Sequence, residues 1–253
     1  MNATGKVALV IGGSGGIGKA SALAFGRAGA AVVVAARREG AGEAVADAIT
    51  SAGGRAHYVP TDITRKADVE ASVQAAVSTF GRLDYAVNVP GITGAVVPIV
   101  ECSDENWDAI LQTNLTGVFW AMRAEIRQML AQGGGGAIVN VSSAVGKRSF
   151  PGLGPYGATK RAMESLTETA ALEYARQGIR VNAIAPGSID TDTFRGFTNH
   201  DPQTIKAMAE TYHPLARIGD PDEVAQAVLY LCTAATFTTG ATVPVDGGWL
   251  FRP

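Results

Sequence analysis

The chemistry open to this chain is concentrated in Tyr156-Gly157-Ala158-Thr159-Lys160, with Ser142-Ser143 a short way ahead. Four residues make about one helical turn, so the phenol and the ammonium project from the same face. An unperturbed tyrosine titrates near ~10 and carries protons poorly at neutral pH. A lysine cation beside it favours the phenolate and is expected to lower that value. A fall of about three units requires roughly 4 kcal/mol of differential stabilisation, attainable in a dry cleft that holds a second cationic group. So tuned, the tyrosine gives a proton to a carbonyl oxygen or takes one from an alcohol. Tyrosine and lysine four apart are common on helices, however, so the argument turns on the elements around them.

Short β-branched runs at 7–11, 31–35, 56–60, 84–89, 137–141, 181–185 and 242–245 read as strands. Most are apolar throughout, as parallel strands covered on both faces are. Alanine-rich helical stretches lie between them, near 16–28, 39–53, 65–80, 104–131, 155–177 and 220–233. This alternation predicts an α/β fold: a single doubly wound, Rossmann-like domain over 1–253, with a seven-stranded parallel sheet and helices on both faces. The longest stretch without clear pattern, about 187–219, follows a strand directly and is expected to form a lid over substrate.

Bulk composition excludes several classes of function. The 253 residues are 47% hydrophobic and include 31 glycines, which suits a globular chain with tight turns. Twenty-one basic against 23 acidic residues give a net charge of −2, with no excess of cations to attract nucleic acid or anionic lipid. Cys102 and Cys232 have no metal-like spacing and are expected to be free thiols, with no metal site. The chain runs from Met1 into its first strand with no signal peptide, and no apolar run nears the ~20 residues that span a bilayer. A cytoplasmic setting is expected.

The first strand leads into Gly12-Gly13-Ser14-Gly15-Gly16-Ile17-Gly18 and then a helix. Such a turn lets backbone N–H groups and a helix N-terminus meet a pyrophosphate. The second strand ends in Arg37-Arg38, where an acidic residue would hold a ribose and arginine accommodates a 2′-phosphate. NADP is therefore the expected cofactor, although Gly15 stands where another basic residue would strengthen the case.

In order and spacing these motifs resemble the short-chain dehydrogenase/reductase family across essentially the whole chain. The resemblance implies a phosphate turn at Gly12, Ser14, Gly16, Ile17 and Gly18, and adenine contacts from Asp62 and Ile63. It implies further cofactor contacts from Asn88 and Gly91, and a nicotinamide turn at Pro186-Gly187, with Ile189 and Thr191. Asn114, Ser143, Tyr156 and Lys160 match the family's catalytic tetrad, and Asp246-Gly247-Gly248 also fits. One departure stands out: the family's Asn-Asn-Ala-Gly is Asn88-Val89-Pro90-Gly91 here, and proline removes a donor and biases Val89 toward an extended conformation.

What the resemblance implies chemically is hydride transfer between nicotinamide and a substrate carbon, with Tyr156 moving the proton. Lys160 would lower the tyrosine pKa and hold the nicotinamide ribose, Ser143 would polarise the carbonyl oxygen, and Asn114 would position a water for proton resupply. Val96, Phe150, Leu153, Thr193 and Phe194 are the candidates for a pocket around a bulky or aromatic ketone, or are loop anchors. His57, His200 and His213 show no ligand spacing and are expected at the surface or in loops. Trp107, Phe119, Trp120 and Met122 are expected as core or subunit contacts, and a homotetramer is implied by resemblance alone. The leading reading is an NADPH-dependent carbonyl reductase or alcohol dehydrogenase. A 3-oxoacyl-carrier-protein reductase shares every motif, with Arg123, Arg127 and Arg176 available to an acidic carrier, and a non-catalytic NADP-binding scaffold is the reading from another class.

Overall fold

Each β-branched run pairs in parallel with its neighbours in the computed structural model, which describes residues 1–251. The chain passes through β1 (Val7–Ile11), α1 (Gly16–Arg27), β2 (Ala31–Ala36), α2 (Glu39–Ser51), β3 (Arg55–Pro60), α3 (Lys66–Phe80) and β4 (Tyr85–Asn88). Then come α4 (Asp104–Leu111), α5 (Gly117–Gln132), β5 (Gly136–Val141), α6 (Ala144–Lys147), α7 (Gly154–Tyr174) and β6 (Ile179–Pro186). The last are α8 (Asp192–Phe197), α9 (Pro202–Tyr212), α10 (Pro221–Thr233) and β7 (Thr242–Val245). The seven strands form one sheet in the order β3-β2-β1-β4-β5-β6-β7. The winding reverses between β1 and β4, so a crevice opens at the carboxyl ends of the strands there.

Unbroken apolar runs follow from two cores. Ala8, Val10, Val32 and Val34 face the helices α1, α2 and α10, whereas Leu9, Ile11 and Val33 face α3, α5 and α7. Alternate side chains thus enter opposite cores, and no face of β1 or β2 meets water. The edge strand β3 departs from this rule, with alternating exposure that leaves His57 at the surface.

Two differences from the sequence reading bear on the site. The helix expected over 104–131 breaks into α4 and α5 around a π turn at Gln112–Thr116. The buried Asn114 sits at that break, pairing with backbone outside its own helix. The segment 187–219 holds α8 and α9, so it is not patternless. Thr191 caps α8 by accepting from the Phe194 N–H, and Asp201 caps α9 ahead of Pro202. The six-residue α8 is too short for a hydrophobic period to show, whereas the Asp201 cap ahead of Pro202 was the available signal for α9. Among the described residues, no helix is long and apolar enough to cross a membrane.

Candidate active site

A cleft of about 680 Å³ opens where β1, β5 and β6 end, and it contains most of the residues singled out by type and spacing. One end is the glycine turn. Gly12 has φ +87°, and a Cβ on Gly18 would collide with the Gly12 carbonyl oxygen, so the turn can close only with glycine at these positions. Gly15 begins α1 without a side-chain cap, and no acidic residue occupies the first turn. The orphan N–H groups of that helix start, with Ser14, Gly16 and Ile17 along the wall, are suited to an anion such as a pyrophosphate. A Cβ on Gly16 would lie 2.8 Å from Thr191 Cγ2, so the turn after β6 rests on the turn after β1.

Arg37 and Arg38 both line this end. The Arg38 guanidinium arches over Gly15, with Nη2 2.7 Å from where a Cβ there would stand. The positive charge absent at position 15 is thus supplied from position 38. Asp62 and Ile63 complete the adjoining wall. Burial alone would push the Asp62 carboxyl up, but the Thr64 N–H and hydroxyl, with Arg37 and Arg65 nearby, hold it below its ordinary value.

The middle of the cleft is built by β5 and α7. Ser142 and Ser143 end the strand, and Ser143 Oγ accepts from the Val145 N–H at 3.2 Å, which starts α6. Tyr156 and Lys160 enter from α7 one turn apart. Lys160 Nζ donates to the Val141 carbonyl at 2.8 Å and lies 5.6 Å from the centroid of the Tyr156 ring. Burial pulls Lys160 down to about 8, with the charge of Glu164 acting against that fall. For Tyr156 the net shift is upward: burial raises the phenol and the Ser143 hydrogen bond only partly opposes it. The Lys160 ammonium lies over the Tyr156 ring while it bonds that carbonyl. Asn114 sits behind this floor. Its Oδ1 accepts from the Ile92 N–H at 2.9 Å and its Nδ2 donates to the Ile92 carbonyl at 2.8 Å. A Cβ on Gly91 would lie 3.3 Å from Lys160 Nζ and 3.9 Å from Asn114 Oδ1.

At the far end the lining is apolar: Phe150, Leu153, Phe194, Phe197, Met208 and Trp249, with Thr193 at the rim. Phe150, Tyr212 and Trp249 form an aromatic group with centroids 5.4–6.3 Å apart. Trp249 was not anticipated. It reaches the cleft because Gly247 and Gly248, at φ +60° and +90°, turn the chain back while Asp246 accepts from the Gly248 and Leu250 N–H groups. The Gly-Gly step just before it was the available signal.

The chain matches the family described as Enoyl-(Acyl carrier protein) reductase over residues 12–250. It is 41% identical to the A-factor type gamma-butyrolactone 1'-reductase (1S-forming) of Streptomyces virginiae, over 97% of this chain and 96% of that one. It is 40% identical to the cyclohexanol dehydrogenase of Acinetobacter sp. (strain SE19), over 96% and 94%. A short-chain type dehydrogenase/reductase from Mycobacterium ulcerans superposes with a TM-score of 0.94 at 31% identity, covering 100% of this chain and 92% of that chain. The chain belongs to the short-chain dehydrogenase/reductase family. It is accordingly an oxidoreductase of alcohols and carbonyls that uses a nicotinamide cofactor, and the cleft just described has the glycine cradle and helix start such a cofactor needs.

Three expectations about this short-chain dehydrogenase/reductase need correcting. Asn88 points away from the cleft: its Nδ2 donates to Glu125 Oε2 at 3.1 Å and to Asn140 Oδ1 at 3.0 Å in the core. The wall at that point is made by Val89, Pro90 and Gly91, with Val89 N–H donating to the Ile11 carbonyl. Gly18 likewise acts through packing, not from the lining. Val96 packs over Gly152 and is 45% exposed, outside the cleft. His213 lies in the loop after α9, one of the two settings expected for it, but is buried there: its Nδ1 donates to the Asp246 carbonyl at 2.6 Å and its Nε2 accepts from the Ser188 N–H at 3.4 Å. It ties the end of α9 to the turn after β6. Pro186, Gly187, Ile189 and Thr191 all line the cleft at that turn.

Proposed function

We propose that this enzyme reduces a neutral, apolar ring ketone with NADPH, or oxidises the corresponding secondary alcohol with NADP, using Tyr156 as general acid and base. The observation that carries the reading is the convergence of Ser143, Tyr156 and Lys160 between a phosphate-type turn and an apolar end. Arg37 and Arg38 at the adenosine end support the 2′-phosphate cofactor, since a planar guanidinium suits that group. The cofactor supplies the hydride. Gly12, Ser14, Gly16, Ile17 and the start of α1 hold its phosphates, Asp62 and Ile63 its adenine, and the Pro186–Gly187 turn with Ile189 and Thr191 its carboxamide.

Ser143 donates to the carbonyl oxygen, where negative charge develops. Tyr156, kept protonated by burial, gives its proton to that same oxygen. Lys160 stabilises the phenolate left behind, and Asn114, locked to Ile92, holds the route by which a proton returns. Among the described residues, no cation lines the apolar end formed by Phe150, Phe194 and Trp249, and burying a lone carboxylate against that lining would be costly. Two of the relatives above are named for substrates that contain rings, which agrees with that lining. Arg123, Arg127 and Arg176 do not line the cleft, and the carrier-protein reading, which the family description keeps as the alternative, is separated by the assay below.

The segment 187–219, with α8 and α9, acts as the lid of a single domain. Half-exposed Trp107 and Phe119 on α4 and α5 are in keeping with a homotetramer, and the free thiols Cys102 and Cys232 with a cytoplasmic setting. The test is NADPH consumption by purified protein with cyclohexanone, with a cyclohexanone bearing a carboxylate, and with a 3-oxoacyl carrier protein. Turnover of the neutral ring alone is expected. Turnover confined to the carrier substrate would overturn the proposal.

A further inference from the structure

Glu164 lies one turn beyond Lys160 and two beyond Tyr156 on the same face of α7. Its side chain is only 3% exposed, yet it is fully partnered. Oε1 accepts from the Ser142 hydroxyl at 2.7 Å, and Oε2 pairs with Lys147 Nζ at 3.1 Å. Ser142 is the residue before Ser143, and Lys147 ends the short helix that Ser143 begins. Gly146 makes the arrangement possible. A Cβ there would stand 3.1 Å from Glu164 Oε1, 3.1 Å from Ser142 Oγ and 3.2 Å from Lys160 Cβ, pressing on all three at once.

We propose that Glu164 is a positioning residue, whose carboxylate braces the Ser143 strand end and α6 against the helix of Tyr156 and Lys160 and balances the charge of Lys160. The role rests on the reading of Ser143, Tyr156 and Lys160 given above. The charged groups facing the carboxylate are Lys147 from α6 and Lys160 from its own helix. The end of β5 contributes only the two serines, and Arg180 of β6 is engaged with the carbonyls of Leu231, Cys232 and Thr238. Lys160 is itself buried, and both the Val141 carbonyl that accepts from its Nζ and the nearby negative charge of Glu164 favour its ammonium form.

Glutamine at position 164 keeps an acceptor for Ser142 but loses the charge, whereas aspartate keeps the charge and loses the reach. In Glu164→Gln, Lys160 is neutral over more of the pH range and favours the Tyr156 phenolate less. The acidic limb of alcohol oxidation should therefore move up by about one pH unit, and kcat should fall about tenfold with KM for NADP little changed. Glu164→Asp should lower kcat without moving the limb. Ser142→Ala, which removes the brace and leaves the charge, should also lower kcat several-fold at an unchanged limb. Wild-type kcat and pH profile in Glu164→Gln, or wild-type kcat in Ser142→Ala, would overturn the role while Tyr156→Phe is inactive. A fully active Tyr156→Phe would instead overturn the site reading, and the role of Glu164 with it.

Discussion

Arg37 and Arg38 are exposed at the glycine-turn end of the cleft, and their exposure sets the size of what they can contribute to cofactor binding. A hydrogen bond to a charged group contributes about 1.5–3 kcal/mol, but solvent screening reduces an exposed pair to about 0.2–1 kcal/mol. At about 0.7 kcal/mol each, every arginine is worth about threefold in affinity, and the pair about tenfold. NADPH and NADH differ only in the 2′-phosphate, so the ratio of their dissociation constants isolates the effect. Titration of nicotinamide fluorescence should show NADPH binding tighter by about tenfold at low salt, and a smaller gap as salt is raised. Arg37→Ala with Arg38→Ala should remove most of that gap while NADH affinity changes by less than about threefold. Tighter NADH binding to the wild type would refute the reasoning. An equal loss of both cofactors in the double variant would show that the arginines hold the turn at Gly15 and leave the phosphate unread.

Two further perturbations probe the interior and the substrate end. Glu125 is buried against Asn88, and burial pushes its carboxyl from 4.5 up to about 8 despite the Asn88 hydrogen bond. Between those values the folded protein holds a proton that the unfolded chain has released, so stability falls as pH rises, by at most about 1.4 kcal/mol per unit. Urea melts across that window should show the fall in the wild type and a flatter profile in Glu125→Gln, and parallel profiles would contradict the assignment. Trp249→Ala removes an aromatic group worth about 0.5–1.5 kcal/mol of contact. The KM for cyclohexanone should rise several-fold with kcat nearly constant, and an unchanged KM would place substrate elsewhere.

The parts of this molecule that were legible in its residues are those set by local pattern. Apolar runs such as Val7–Ile11 and Ala31–Ala36 announced buried parallel strands because both faces of the sheet carry cores. The glycine turn and the spacing of Ser143, Tyr156 and Lys160 could be read because each is held within one turn or one crossover. What escaped depends on contacts distant in sequence. Asn88 looks like a cleft residue until Glu125 and Asn140 claim its side chain from the core. His213 sits in a loop, as its surroundings in sequence suggest, but its burial appears only when the Asp246 carbonyl and the Ser188 N–H enclose it. Trp249 is turned back by the adjoining Gly247–Gly248 step, but that it meets Phe150 and Tyr212 shows only in the fold, and Glu164 gains meaning only when Gly146 lets Ser142 approach.

The central claim is that Tyr156 carries the proton in carbonyl reduction, and it is tested most directly by Tyr156→Phe with NADPH and cyclohexanone. The phenyl ring keeps the packing and loses only the hydroxyl, so NADPH should bind as before. The account predicts a fall in kcat/KM of about 10² or more, the range general acid catalysis contributes. Wild-type turnover by Tyr156→Phe would contradict it.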